Sequence, residues 1–160
     1  MSEFIIEKTG DIFTSKANAV GHGINVKGAM AAGIAAQFAQ RYPTMREDYW
    51  RACEHGEIMP GDCWVWYEEY HPDFEYVFNI ASQNFPGPDA RMTWLSLGLN
   101  HMYQMCMNNN IFLVALPQIG CGIGGLRWEP VKALITDYAK YFEVTTELWT
   151  FEPRAAYKAA

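Results

Sequence analysis

Apolar positions along this chain change period in a regular order. Ile111-Phe-Leu-Val-Ala-Leu116 is a continuous apolar run of the kind that makes a strand buried on both faces, and Glu129 to Phe142 behind it spaces its apolar residues at helical period. The same succession occurs earlier. Ala17 to Gly21 leads as a strand into a glycine-containing loop, after which Ile34, Phe38 and Tyr42 repeat at i+4 spacing and give a helix one apolar face. Pro43 stops that helix, and Thr44 with Glu47 three residues on forms a capping box for another helix that runs to about Glu54. Asp62 to Tyr67 and Tyr76 to Ala81 are β-rich runs joined by a polar loop, the pattern of a hairpin. Ala90 to Met107 has helical periodicity with Asp89 placed as its N-cap, Glu3 to Lys8 and Thr145 to Phe151 are strands, and Glu152 to Ala160 reads as a frayed tail. The order β, β, α, α, β, β, α, β, α, β predicts an α/β protein, a three-layer α/β/α sandwich about a mixed, mostly parallel central sheet. With no repeat or linker, residues 1–160 are expected to form a single domain.

Two strand-to-helix connections are rich in glycine. Pro117-Gln-Ile-Gly-Cys-Gly-Ile-Gly-Gly-Leu-Arg-Trp128 carries Gly120, Gly122, Gly124 and Gly125, and His22 to Gly33 forms the other. Glycine admits positive φ and removes the side chains that would keep a ligand away from peptide N–H groups, so such loops can wrap a phosphate or diphosphate at a helix N-terminus. A tight left-handed turn with no ligand accounts for the same residues. Neither loop matches the G-x-G-x-x-G dinucleotide pattern or a P-loop, since no Gly-Lys-Ser/Thr occurs. Both fall at the carboxyl ends of strands, where open α/β sheets collect ligands. Gly10-Asp11 at the end of the first strand reads as a turn. If it lines a pocket, the Asp11 carboxylate suits an exocyclic amine such as that of adenine, and Ile12 offers an N–H to a ring nitrogen.

Charge narrows the partners. A formal net charge of −6 with no basic cluster argues against general nucleic-acid binding, while a backbone-donor loop still accepts an anionic small molecule. Cys53, Cys63, Cys106 and Cys121 lack C-x-x-C spacing, which disfavours a zinc ribbon or redox pair, and they are read as reduced, mostly buried thiols. No metal constellation and no cofactor is expected. The first residues lack the basic and apolar regions of a secretion signal, and no apolar run approaches the ~18–20 residues of a membrane span, so a cytoplasmic protein is expected.

Taken jointly, Gly10-Asp11-Ile12, the segment Ala19 to Asn25 with Gly28, Gly33-Ile34-Ala35 with the helix to Tyr42-Pro43, and Pro117 to Leu126 with Trp128 resemble the macrodomain family, a module that binds ADP-ribose. The resemblance covers nearly the whole chain and stands closest to the branch of ADP-ribose 1″-phosphate phosphatases. It implies that Asp11 holds the adenine amine and Ile12 lines the base pocket. It implies also that Asn25 bonds the distal ribose, with Gly28 in the same loop, and that Gly33, Ile34, Gly120, Cys121, Gly122, Ile123 and Gly124 cradle the diphosphate. Phe151 is similar to the aromatic on which adenine packs, and ordinary core burial is its other reading.

The branches of this family differ in catalysis. The branch that frees acidic side chains through a lysine and an aspartate is similar in His22-Gly-Ile and Gly-Cys-Gly, yet its lysine would fall near Ser82-Gln83 and its aspartate at Gly124. The branch that reverses DNA ADP-ribosylation resembles Gly33 to Tyr49 and Gly56 to Gly61, yet its lysine after Asn-Phe-Pro is replaced by Gly87. The phosphatase branch implies His22 and Asp89 as the catalytic pair, the imidazole and carboxylate sharing proton transfer without a metal. A structural histidine under the loop and a helix cap are their other readings. The expected function is binding of ADP-ribose with hydrolysis of ADP-ribose 1″-phosphate. The alternatives are a non-catalytic ADP-ribose reader, or a hydrolase that releases ADP-ribose from modified protein or nucleic acid.

Overall fold

The computed structural model describes residues 3–151, and the expected tail from Glu152 onward lies outside them. Each apolar run forms the element its period predicts. The strands are β1 (Ile5–Thr9), β2 (Ala19–Gly23), β3 (Cys63–Tyr67), β4 (Tyr76–Ile80), β5 (Leu113–Pro117) and β6 (Thr145–Thr150). The helices are α1 (Gly33–Arg41), α2 (Pro43–Glu54), α3 (Met92–Asn108) and α4 (Trp128–Phe142), and one short 3₁₀ turn, Ile12–Thr14, follows β1. The strands make one sheet in the order β1-β6-β5-β2-β4-β3. All neighbours are parallel except β3 and β4, which form the expected antiparallel hairpin.

Side-chain alternation sends each strand's residues to two cores. Val20, Val77, Ala115 and Trp149 join Phe38, Tyr42, Met45 and Tyr49 from α1 and α2 on one face. Ala19, Phe78, Ile80, Val114, Leu116 and Leu148 join residues of α3 and α4 on the other. The sandwich therefore has three layers, as its sequence predicts.

Two helix starts differ from expectation. α2 begins at Pro43, with Tyr42 before it and no side-chain cap bond, so the capping box of Thr44 and Glu47 does not form. Proline suits a first helical position, where the N–H it lacks would have no intrahelical partner. α3 begins at Met92 after Arg91, again without a side-chain cap, which leaves Asp89 two residues too early for that role. Among the described residues no helix is long and apolar enough to cross a membrane.

Candidate functional site

The parallel strands all point their carboxyl ends to one edge, and the loops leaving β2, β4 and β5 enclose a cavity of about 360 Å³ there. Its wall comes from residues 23–25, 29, 31–35, 82–83, 86–87, 117–120 and 122–124. The two glycine loops meet across it. A Cβ on Gly33 would lie 3.1 Å from the Ile123 side chain, and Gly33 has φ +61°, so close approach and backbone conformation both require glycine at this position. Ala32 precedes α1 with no side-chain cap bond, and residues 32–35 line the cavity, so the uncapped start of α1 faces it. Among the described residues, no Asp, Glu, His, Lys, Arg, Cys or Tyr lines the cavity.

Asn25, Gly33, Ile34, Gly120, Gly122, Ile123 and Gly124 thus come together as anticipated. Asn25 does more for its own loop than its implied role suggests. Its Oδ1 accepts from the N–H of Lys27 at 2.9 Å and from the Tyr49 hydroxyl at 3.1 Å, and its Nδ2 donates to the Ala29 carbonyl at 2.8 Å.

Gly28 departs from its implied place. It does not line the cavity; at φ +83° it turns the loop beside Trp50, 3.1 Å from where a Cβ would stand. Cys121 is likewise outside the wall. Its Sγ donates to the Ile119 carbonyl, and burial first, then Glu129, push its thiol up to about 11, far from a nucleophile's range. The other three thiols are free as well, although only Cys106 is fully buried.

Asp11, Ile12 and Phe151 lie off the cavity at the β1 and β6 end of the sheet. The Gly10 N–H donates to the Thr150 carbonyl at 2.9 Å, which continues the β1–β6 pairing and brings the loop after β1 alongside the end of β6. Phe151 is 63% exposed, so core burial does not explain it. The exposed Asp11 accepts the Phe13 N–H through Oδ1 at 3.0 Å. The Ile12 side chain, 5% exposed, belongs to the core cluster of Phe38 and Phe74 and is not among the residues that wall the cavity.

The implied catalytic pair does not assemble. His22 sits in the middle of the sheet with no exposed surface, its ring stacked on Phe38 with centroids 4.2 Å apart. Asn79 donates its Nδ2 to the Trp64 carbonyl, which leaves Oδ1 to accept from His22 Nε2 at 2.6 Å; Nε2 therefore carries the proton. Burial lowers the imidazole pKa from 6.5 to about 4, against a smaller opposite effect of Asn79. Alternation along β2 explains the placement, because residue 22 points with Val20 into the α1 and α2 core. The carboxylate of Asp89 is spent on a loop: Oδ2 accepts the N–H groups of Asn84 and Phe85 at 3.0 and 2.9 Å, and Oδ1 pairs with Arg91 at 3.2 Å. The Phe85 N–H, foremost among these partners, holds its carboxyl below the usual range. Both residues support the site from outside it.

The sequence reading passed over Ser82, Gln83, Gln118 and Gly87 as wall residues. The signal that points to the first two is their place directly after β4, a strand parallel to β2 and β5 and so ending at the same edge.

The family model described as Macro domain matches residues 21–135. The chain is 28% identical over 144 residues to a DNA ADP-ribosyl glycohydrolase of Thermus aquaticus, a match that covers 90% of this chain and 40% of that protein. It is 24% identical over 139 residues to an ADP-ribose 1″-phosphate phosphatase of Lodderomyces elongisporus, covering 79% of this chain and 87% of the relative. Among solved structures, the macrodomain of Mycobacterium tuberculosis DarG superposes with a TM-score of 0.83 at 27% identity, over 93% of this chain and 97% of that one. The chain spans well under half the length of the DNA ADP-ribosyl glycohydrolase it matches. By the family model and the shared fold together, this chain belongs to the Macro domain family.

Proposed function

We propose that this chain binds ADP-ribose across the carboxyl ends of its parallel strands and hydrolyses a derivative of it at the terminal ribose. One observation carries the reading: a cavity walled by two glycine loops and the uncapped start of α1, with no ionisable side chain among the described residues of its wall. Main-chain N–H groups and a helix terminus suit a diphosphate, whose charge they meet without cationic side chains. Beyond one end of the cavity the exposed Phe151 offers a ring for a base to pack on, and Asp11 offers an acceptor for an exocyclic amine. The relatives named as a DNA ADP-ribosyl glycohydrolase and an ADP-ribose 1″-phosphate phosphatase lend the reading its reaction class.

Hydrolysis in such a cavity draws its proton transfer from the substrate. Water attacks the anomeric carbon of the terminal ribose, the bond to the leaving group breaks, and a diphosphate oxygen relays the water's proton to that group. The donors already aimed at the diphosphate need no rearrangement during the step. The favoured leaving group is part of a macromolecule, because Gly87 in the wall has nothing within 4 Å of its Cβ position and leaves that end open. Release of phosphate from ADP-ribose 1″-phosphate is the second form of the reading, supported by the phosphatase relative.

Calorimetry with ADP-ribose and turnover assays with an ADP-ribosylated oligonucleotide and with ADP-ribose 1″-phosphate, both in EDTA, test the proposal. Binding with release of ADP-ribose from the oligonucleotide is the expected result. Phosphate release alone selects the second form, binding without turnover of either substrate makes the chain a reader, and no binding removes the proposal.

A further inference from the structure

Glu147 is the only acidic residue buried among the described residues, 7% exposed in the middle of β6. Burying a carboxylate is costly unless donors meet it, and two side chains meet this one at a single oxygen. The Ser15 hydroxyl donates to Oε1 at 2.5 Å, and the Trp149 indole N–H donates to the same atom at 2.9 Å. Each donor holds one end of the loop that follows β1. Ser15 closes the loop: its N–H donates to the Ile12 carbonyl at 3.0 Å, ending the 3₁₀ turn, and its hydroxyl accepts the Ala17 N–H at 3.1 Å. Trp149 supports the start, its ring 4.0 Å from where a Cβ on Gly10 would stand.

Between these two supports the turn is braced internally. The Asp11 carbonyl accepts from the Thr14 N–H at 3.0 Å and from the Thr14 hydroxyl at 2.6 Å, so Asp11 to Thr14 form one piece. Burial of Ile12 holds that piece down, but apolar contact has no direction, whereas a hydrogen bond weakens steeply as its angle closes. The orientation of the turn, and of Asp11 within it, therefore depends on the buried carboxylate beneath. We propose that Glu147 is a positioning residue for base recognition: through Ser15 and the Trp149 ring it aims Asp11 at the exocyclic amine of the bound base. The proposal rests on the ADP-ribose reading above and adds to it the group that makes the site prefer adenine to a base without that amine.

The test compares ADP-ribose with inosine diphosphate ribose, whose base carries an oxygen where adenine carries its amine. In calorimetry, wild type is expected to bind ADP-ribose about tenfold more tightly, the effect of one hydrogen bond to a ligand. Glu147→Leu, which removes the acceptor, is expected to bind the two within about twofold of each other, with affinity for the inosine ligand kept. Ser15→Ala cuts one support and leaves the core intact, and its preference is expected to fall to about threefold. Glu147→Gln still offers an oxygen to both donors and is expected to restore the wild-type preference. A carboxylate with a purely structural role would lower the urea midpoint without changing the preference between bases. Undiminished preference in Ser15→Ala, or in Glu147→Leu if it folds, would therefore overturn the inference, as would an equal loss of affinity for both ligands. Wild type that binds ADP-ribose but does not prefer it would overturn the inference and leave the ADP-ribose reading standing. Failure of wild type to bind ADP-ribose at all would remove both.

Discussion

His22 lies flat against Phe38 inside the sheet, and its chemistry follows from that burial. The folded imidazole titrates at about 4 and the unfolded one near 6.5, so the unfolded chain binds the extra proton first as the solution is acidified. The stability tied to neutral His22 is complete above about pH 6.5 and drains away as the pH falls towards 4, by about 3 kcal/mol in all. Urea titrations of wild type and His22→Gln at pH 7.5 and 4.5 should show the variant losing less on acidification. The same variant, if folded, should keep ADP-ribose affinity, whereas a catalytic imidazole would lose turnover by about 10²–10⁴. Motif matching recognised residue 22 but not the direction of its side chain, which depends on strand phase. Asp89 shows the complementary failure: its segment was legible, but its bonds to Asn84 and Phe85 depend on a loop fold that no local pattern encodes.

Elements were more legible than residues. All ten expected strands and helices form in the expected order, because each has a period that its burial demands. The helix starts were misjudged where a cap was inferred from side-chain type, as at Thr44 with Glu47 and at Asp89. Within the glycine loop the roles divide by conformation. Gly120 and Gly125 have φ of +78° and +85°, whereas Gly122 and Gly124 are not in that region. A Cβ on Gly122 meets nothing within 4 Å, while one on Gly124 would sit 2.7 Å from the Gly120 carbonyl oxygen. Gly122→Val should therefore fold with a nearly unchanged melting temperature and lose ADP-ribose binding, as calorimetry would reveal. Gly124→Val should lose about 1–3 kcal/mol of stability in urea titration, the usual cost of overpacking. α2 also reaches the site without lining it, through the Tyr49 hydroxyl, which donates to the Asn25 carbonyl at 2.7 Å. Tyr49→Phe should weaken ADP-ribose binding several-fold in the same calorimetric assay by freeing the loop, with a stability loss of about 1 kcal/mol.

At the scale of the whole molecule, the sheet edge and the charge balance define how a substrate arrives. The order of the strands was not readable from periodicity, since parallel pairing is set by crossovers between distant segments; for that reason Ser82 and Gln83 escaped notice although both glycine loops did not. A net charge of −6 means that a nucleic-acid substrate gains little from its own backbone. The KM for an ADP-ribosylated oligonucleotide should accordingly stay flat or fall as salt is raised from 50 to 200 mM, where a basic binding surface would make it rise steeply.

A cavity wall whose described residues include no ionisable side chain has a consequence for how such a site changes over generations. Short of proline, a substitution cannot delete a main-chain N–H; it can only obstruct it. Random substitution in these loops therefore tends either to spare recognition or to block the cavity outright, with few gradations between. The side chains at the β4 end carry no such protection, and Ser82 and Gln83 are free to be exchanged one at a time. Selection can thus redirect what is cleaved while the nucleotide remains held, so a lineage built on this cavity would diversify in its chemistry faster than in its ligand.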